Sequence, residues 1–353
     1  EPILLTLALN DDTPVTPPDG DELQRFIALT SQAAERYQRR MTLDIPRWLE
    51  ARRLTAVQRR LLDAHHALNV QSSVTVIVQD PSGQPEALAK TLASVLSWRA
   101  RSATAIGVHV LSLHMPPGAL PAGVSWDRLG AAPARQINTL IDGVDHEWLL
   151  LLNAGDELIE SGTCLLEQQL PRSSASMLYG DEIHRSGEQT GPAFRPDINL
   201  DYLLSLPVVM ATHWLFRRDA FLAFGGFDDQ LPQALEFDLI LRIIDGQGLG
   251  AIEHLTEPLL SCESPSLHPN PDEITALERH LHNRGYTAHQ VREYPARHYH
   301  IHYGHTAEPL VSIIVPTKDQ LPILRRCVET LLEKTQYFNY ELIIVDNDSQ
   351  TEE

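Results

Sequence analysis

From Ser73 onward, short apolar runs of strand length alternate with stretches of helical spacing. That alternation restricts the chain to a sheet carrying packed helices. The runs over 74–78, 106–113, 148–152 and 177–179 are rich in Val, Ile and Leu, and the stretches over 86–98 and 136–144 between them repeat apolar residues at helical intervals. Runs with almost no polar interruption read as parallel strands buried on both faces. Helical segments over 202–205, 218–224 and 237–245 continue the pattern, and around Glu308 it restarts with 311–315, 321–334 and 340–345 as strand, helix and strand. Ahead of Ser73 the chain has a strand-like run over 3–9, a Pro- and Asp-rich linker over 11–21, and two helices over 21–70. Pro46 suits the first turn of the second helix.

Composition narrows the function classes. With 353 residues, 43% apolar and 21% charged, the chain reads as a soluble protein of about two domains. A net charge of −19 argues against nucleic acid as a partner. Cys164, Cys262 and Cys327 are too widely spaced for a disulfide framework or a zinc knuckle. No apolar run reaches membrane-spanning length, and the N-terminus shows no basic-then-apolar leader pattern, so the expected compartment is the cytoplasm. Locally, however, the helical arm is basic: Arg36, Arg39, Arg40, Arg47, Arg52, Arg53, Arg59 and Arg60 stand against Asp44 and Glu50. This stripe reads either as a solvated helix face or as a peripheral dock for an acidic membrane surface at the inner face of the membrane.

In an open α/β sheet, ligands bind outside the carboxyl ends of the strands. The restart brings Pro316 and Thr317 to the end of its first strand and Asp346 to the end of its second. A carboxylate there can accept hydrogen bonds from a uracil ring or a ribose. At these residues the chain resembles family 2 glycosyltransferases of the GT-A fold, in particular tandem-domain bacterial enzymes of surface-polysaccharide and O-antigen assembly of the rhamnosyltransferase type. Three further matches carry the resemblance. One is Asn153-Ala-Gly-Asp156 after the apolar run from Trp148, where the family has its D-x-D motif. Another is Tyr179-Gly-Asp-Glu182. The third is an ordered string: His213-Trp214 leading to Arg217-Arg218, then Gly225-Gly226-Phe227-Asp228, then Glu236-Phe-Asp238 and Arg242.

The resemblance implies a Rossmann-like, mainly parallel mixed sheet with helices on both faces, preceded by the helical arm. It divides the chain into 1–72 (strand, linker and arm), 73–306 (a GT-A domain) and 307–353 (the opening βαβ unit of a second). It implies inverting transfer of a sugar from a UDP- or dTDP-linked donor to a glycan, lipid-linked or protein acceptor. Such a displacement needs a general base for the acceptor hydroxyl and a countercharge for the leaving diphosphate. By resemblance the base is Glu236, with Asp238 structural or assisting. Asp156 and Asp181 would hold a donor-bound Mg2+ or Mn2+. Nucleotide contacts would come from these two with Glu182, Pro316, Thr317 and Asp346, and the acceptor side from His213, Trp214, Gly225, Gly226 and Phe227. Two departures stand out: Gln79 and Asp80 replace the Pro-Thr ending of the first strand, and Ser112 and His114 stand where the second strand should deliver an Asp. They leave open a second reading, a catalytically silent module that binds acceptor or partner while the following domain handles the donor.

Overall fold

The computed structural model describes residues 45–66, 72–116, 118–304 and 307–351. The expected strand over 3–9, the linker and the first helix of the arm lie outside the described residues. Residues 45–51 and the segment Ala56–His66 are helical, as the second half of the arm was expected to be. The chain divides into two compact units, Glu1–His280 with Val291–His300, and Leu281–Gln290 with Ile301–Glu353.

The first unit is built on a nine-stranded sheet in the order Val124–Arg128, Ala105–Ser112, Ser73–Asp80, Trp148–Asn153, Leu215–Arg217, Met177–Ser186, Ile252–Glu263 and Glu157–Leu158, with Gln189–Ala193 paired to Met177–Ser186. Its first half is all parallel: β1 (Ser73–Asp80) lies between β2 (Ala105–Ser112) and β4 (Trp148–Asn153), and β3 (Val124–Arg128) adds to β2. Side chains alternate along each strand, so Val74, Val76 and Val78 share one core with Val108, Leu150 and Leu152. Leu88, Val95 and Trp98 of the helix Pro85–Arg101 complete that core. Over 74–78, 106–110 and 148–152 this face carries only apolar residues and packs against the helix, which is what the uninterrupted apolar runs required.

The second half is mixed. The short β8 (Leu215–Arg217) pairs antiparallel with both β4 and β6 (Met177–Ser186), β7 (Gln189–Ala193) forms a hairpin with β6, and β9 (Ile252–Glu263) runs parallel to β6. The two-residue β5 (Glu157–Leu158) closes the edge against β9. Between β6 and β9 the register shifts on either side of Asp181. The α/β class expected from the alternation is therefore what the chain adopts, with its parallel half where the apolar runs are longest.

In the second unit β10 (Val311–Thr317), the helix Leu321–Lys334 and β11 (Tyr340–Asp346) form the expected strand-helix-strand restart, with the two strands parallel. Thr317 pairs with Asp346, so both reach the carboxyl end of this small sheet. No described helix is long and apolar enough to cross a membrane.

Candidate active site

The site begins at the end of β4. Asn153 donates its backbone N–H to Asp156 Oδ2 at 2.6 Å, and Asp156 N–H returns a bond to Asn153 O at 3.0 Å, closing a tight turn. Gly155 sits in this turn at φ +110°, in a region open to glycine. The Thr91 hydroxyl accepts from Gly155 N–H, and Arg185 donates to its carbonyl. Asp156 is thereby buried and aimed by its own backbone.

Asp181 and Glu182 follow one another on β6, where strand alternation would send them to opposite faces. Instead the register shifts around Asp181 bend the strand, as β-bulges do beside functional sites. One residue then engages both: Arg195 donates its backbone N–H to Asp181 Oδ1 at 2.8 Å and its guanidinium to Glu182 Oε1. The remaining guanidinium contacts go to the carbonyls of Val209, Gly180 and Thr212 and to the Thr212 hydroxyl. Arg195 is a fully enclosed cation with every edge of its fork satisfied, the condition under which a buried charge is tolerated.

His213 is the hub. Its Nδ1 lies 2.8 Å from Glu182 Oε1 and its Nε2 3.0 Å from Asp156 Oδ2. Burial disfavours charge on the ring, but Asp156 and Glu182 override it and raise the imidazole well above its ordinary pKa. Burial likewise opposes ionisation of Glu182, yet Arg195 and His213 hold it well below the usual carboxylate range. The ring is thus an imidazolium bridging two carboxylates. The backbone of His213 is left-handed, φ +56°, a conformation costing a non-glycine residue about 1 kcal/mol or more. It directs two successive N–H groups at one acceptor: His213 donates to Glu236 Oε2 at 3.1 Å and Trp214 to Oε1 at 2.9 Å. Successive N–H groups arranged this way form an anion-binding nest. Glu236 rides the first turn of the helix Leu235–Gln247. Burial pushes its carboxyl up to about 7, against the opposing pull of the His213 charge and the two N–H groups.

Several expected site residues have other occupations. Asp238 is buried, with Arg242 on Oδ2 at 2.8 Å and Arg279 on Oδ1 at 3.0 Å. Arg242 also donates to the carbonyls of Phe224 and Gly226, so Asp238 ties the glycine turn to the helix and performs a structural role. Gly225 and Gly226 have φ of +82° and +68°, and a Cβ on Gly226 would fall 2.6 Å from the Asn138 side chain. Phe227 is buried edge-on against Phe221 and Phe216. Trp214 is wholly buried, stacked on Tyr179 at 4.7 Å, with its indole N–H on Met210 O. These four expected acceptor contacts are therefore core and turn residues, because the turn needs positive φ and the aromatics fill the space beneath it. Glu182, expected against the nucleotide, is sealed by Arg195 and His213.

Asp156 and Asp181 do not converge on one point, since Asp156 faces His213 while Asp181 faces Arg195 N–H and, at 3.3 Å, His254 Nε2. Among the described residues the one group of three ligand-type side chains is Glu182, His184 and Cys262. Burial, with Glu182 and Asp156 nearby, drives the Cys262 thiol far up, away from thiolate formation. At the tips of β1 and β2, Asp80 accepts from the Ser112 hydroxyl at 2.7 Å and from Gly83 N–H at 2.8 Å, so the two departures in sequence meet and satisfy each other. In the second unit, Asp346 accepts from the Ser349 backbone and hydroxyl, contacts that lower its pKa.

Sequence reasoning missed Arg195 and His254. Nothing periodic marks Arg195, and its one signal is a lone cation in the run Ala193-Phe194-Arg195-Pro196. His254 stacks on Tyr179 at 4.5 Å and joins Asp181 to Asp197.

The family model for glycosyl transferase family 2 matches residues 312–353. The O-antigen biosynthesis protein RfbC of Myxococcus xanthus is 34% identical over 193 residues, which are 51% of this chain and 15% of that protein. The uncharacterized protein y4gI of Sinorhizobium fredii is 30% identical over 226 residues, 60% of this chain and 25% of that protein. The chain thus spans a quarter or less of the length of either relative. Among solved structures, TarS 1–349 of S. aureus superposes with a TM-score of 0.47 at 12% identity, over 60% of this chain and 65% of that one. Its complex with UDP-GlcNAc gives 0.46 at 11% identity, over 60% and 66%. With its closing segment matched by the family's own model and its larger part aligned to a protein of O-antigen biosynthesis, the chain bears out the resemblance to family 2 glycosyltransferases.

Proposed function

We propose that the first unit is an inverting glycosyltransferase centre, moving a sugar from a UDP- or dTDP-linked donor to a glycan, lipid-linked or protein acceptor in surface-glycan assembly. The observation that supports this most is the state of Glu236. A base that must take a proton from a hydroxyl works best with a pKa near the ambient pH, and burial brings this carboxyl to about 7. The nest of His213 and Trp214 N–H groups fixes both oxygens, so the proton is received at a defined place. His213 links that base, through its backbone N–H, to Asp156, through its ring, so the base and the turn expected to meet the donor diphosphate share one support.

Mg2+ or Mn2+ would find a single carboxylate here, Asp156, already engaged by the protonated His213 ring, so the residues present do not form a cage for such an ion. Asp181, already held by Arg195 and His254, braces the strand. The positive charge beside the Asp156 turn is that of His213.

A second reading, the silent module, draws support from the Asp80–Ser112 closure, which leaves no free carboxylate at the tips of β1 and β2 for a nucleotide base. The experiment measures transfer from UDP- and dTDP-sugars to a lipid-linked glycan acceptor, with calorimetric donor binding in manganese. Transfer that falls about 100-fold or more in Glu236→Gln, with donor binding retained, is expected of the enzyme. A folded protein that binds the acceptor but no donor would instead be the silent module.

A further inference from the structure

Away from the carboxylate network, a cavity of about 580 Å³ opens between the helical arm and the first unit's sheet-covering helices. Arg52, Arg53 and Arg59 of the arm and Arg101 at the end of the helix Pro85–Arg101 line it, with Glu160 as the one lining carboxylate. Three carboxylates hold these four cations, Glu160, Glu257 and, on Arg53 at 3.0 Å, Glu50, so the site keeps a surplus of one positive charge in a chain of net charge −19. Glu160 pairs with both Arg59 and Arg101 at one edge. Outside the lining, Glu257 holds Arg52 in a two-point contact at 2.9 and 3.0 Å, which orients its guanidinium. Two further features suit an anion. The helix Glu160–Gln169 starts at the cavity without a side-chain cap, presenting the positive end of its dipole. The Ser161 hydroxyl, also in the lining, is buried with no hydrogen-bond partner.

We infer that this cavity binds a diphosphate-bearing molecule. Guanidinium forks match phosphate oxygens in paired contacts, and an anion here would share the four forks with the carboxylates that now hold them. The volume exceeds what a single phosphate needs. Leu49, Leu54 and Leu158 give the remaining wall an apolar character able to take a tail. The inference is independent of the transfer reaction, since no lining residue belongs to the carboxylate network.

The test is calorimetry on the whole chain with inorganic pyrophosphate in EDTA, repeated with geranyl diphosphate. One equivalent of pyrophosphate should bind, with affinity falling about tenfold or more in Arg59→Gln/Arg101→Gln. Arg53→Gln, whose side chain is largely exposed, guards against misfolding of the double variant and should also weaken binding. Asp156→Asn should leave it intact. Much tighter binding of geranyl diphosphate would identify a lipid source and equal binding a water-soluble one, both within the proposal. No binding by the wild type, affinity unchanged in all the arginine variants, or loss in Asp156→Asn alone would overturn it.

Discussion

Glu236→Gln should make the protein more stable at alkaline pH. Burial lifts the Glu236 carboxyl from an ordinary value of 4.5 to about 7. A carboxyl raised in the folded state contributes stability in full below its unfolded pKa and loses it as pH rises toward the folded one. Above pH 7 the native state therefore carries an ionised group it would rather keep neutral, at a cost of about 3 kcal/mol by the free energy per pKa unit. Glu236 is only partly covered as a residue, so solvent reduces that figure. Glutamine has one acceptor oxygen where the carboxylate has two, so the bond from His213 or from Trp214 is lost, at about 1 kcal/mol. What remains is a gain of about 1–2 kcal/mol at pH 8, shrinking to nothing or reversing at pH 5. Urea unfolding of both proteins at the two pH values measures it directly. A variant less stable than wild type at pH 8 would refute the claim that this carboxyl is strained by burial.

Two further substitutions probe the support. Arg195→Met removes the guanidinium from Glu182 and should cost about 3–5 kcal/mol, the usual result of stranding a buried charge; a drop in melting temperature of only a degree or two would speak against it. Gly226→Ala combines φ +68° with a Cβ 2.6 Å from Asn138 Oδ1 and 2.9 Å from the Phe221 ring. It should cost about 1–3 kcal/mol in a denaturant titration, and a neutral effect would mean that the turn relaxes freely.

The parallel half of the sheet was legible because a strand buried on both faces has no choice but to be apolar throughout, and the runs around Val76 and Leu150 show it plainly. The position of Glu236 at the start of a helix beside His213 was approached through the order of motifs that precede it. What stayed hidden is what the chain does in three dimensions between motifs. His213 and Trp214 read as acceptor contacts because the stretch they share resembles the acceptor side of the family. The left-handed turn at His213 separates them, sending the ring to Asp156 and Glu182 while Trp214 goes into the core. The paired glycines carried the same ambiguity: glycine signals positive φ or close approach, and here positive φ and the Asn138 side chain account for them. Arg195 was invisible because a buried cation is recognised by its partners, and those lie on β6 and in the loop ahead of β8.

The proposal that Glu236 is the base rests more firmly on the distribution of charge than on spacing. Four carboxylates gather here, and each but one has a cationic side chain in contact: Asp156 has His213, Glu182 has Arg195 and His213, and Asp181 has His254, which it helps raise above the ordinary imidazole value. Glu236 receives only backbone N–H groups, so burial dominates it and its carboxyl drifts toward neutrality. The His213 charge still restrains that drift without touching the carboxylate through its ring. Replacing it by a neutral residue, His213→Asn, should therefore push the Glu236 carboxyl higher still and carry its loss of stability with rising pH to higher pH. The part of the wild-type decline that belongs to His213, whose raised pKa contributes stability in full below about 6.5 and loses it as pH climbs through the folded value, should vanish at the same time. Urea midpoints across the pH range, read with Glu236→Gln as the reference lacking the Glu236 step, separate the two groups. A Glu236 step that stays where it was in His213→Asn would mean that Glu236 does not feel the imidazolium, and the proposed coupling between the base and the Asp156 turn would be lost.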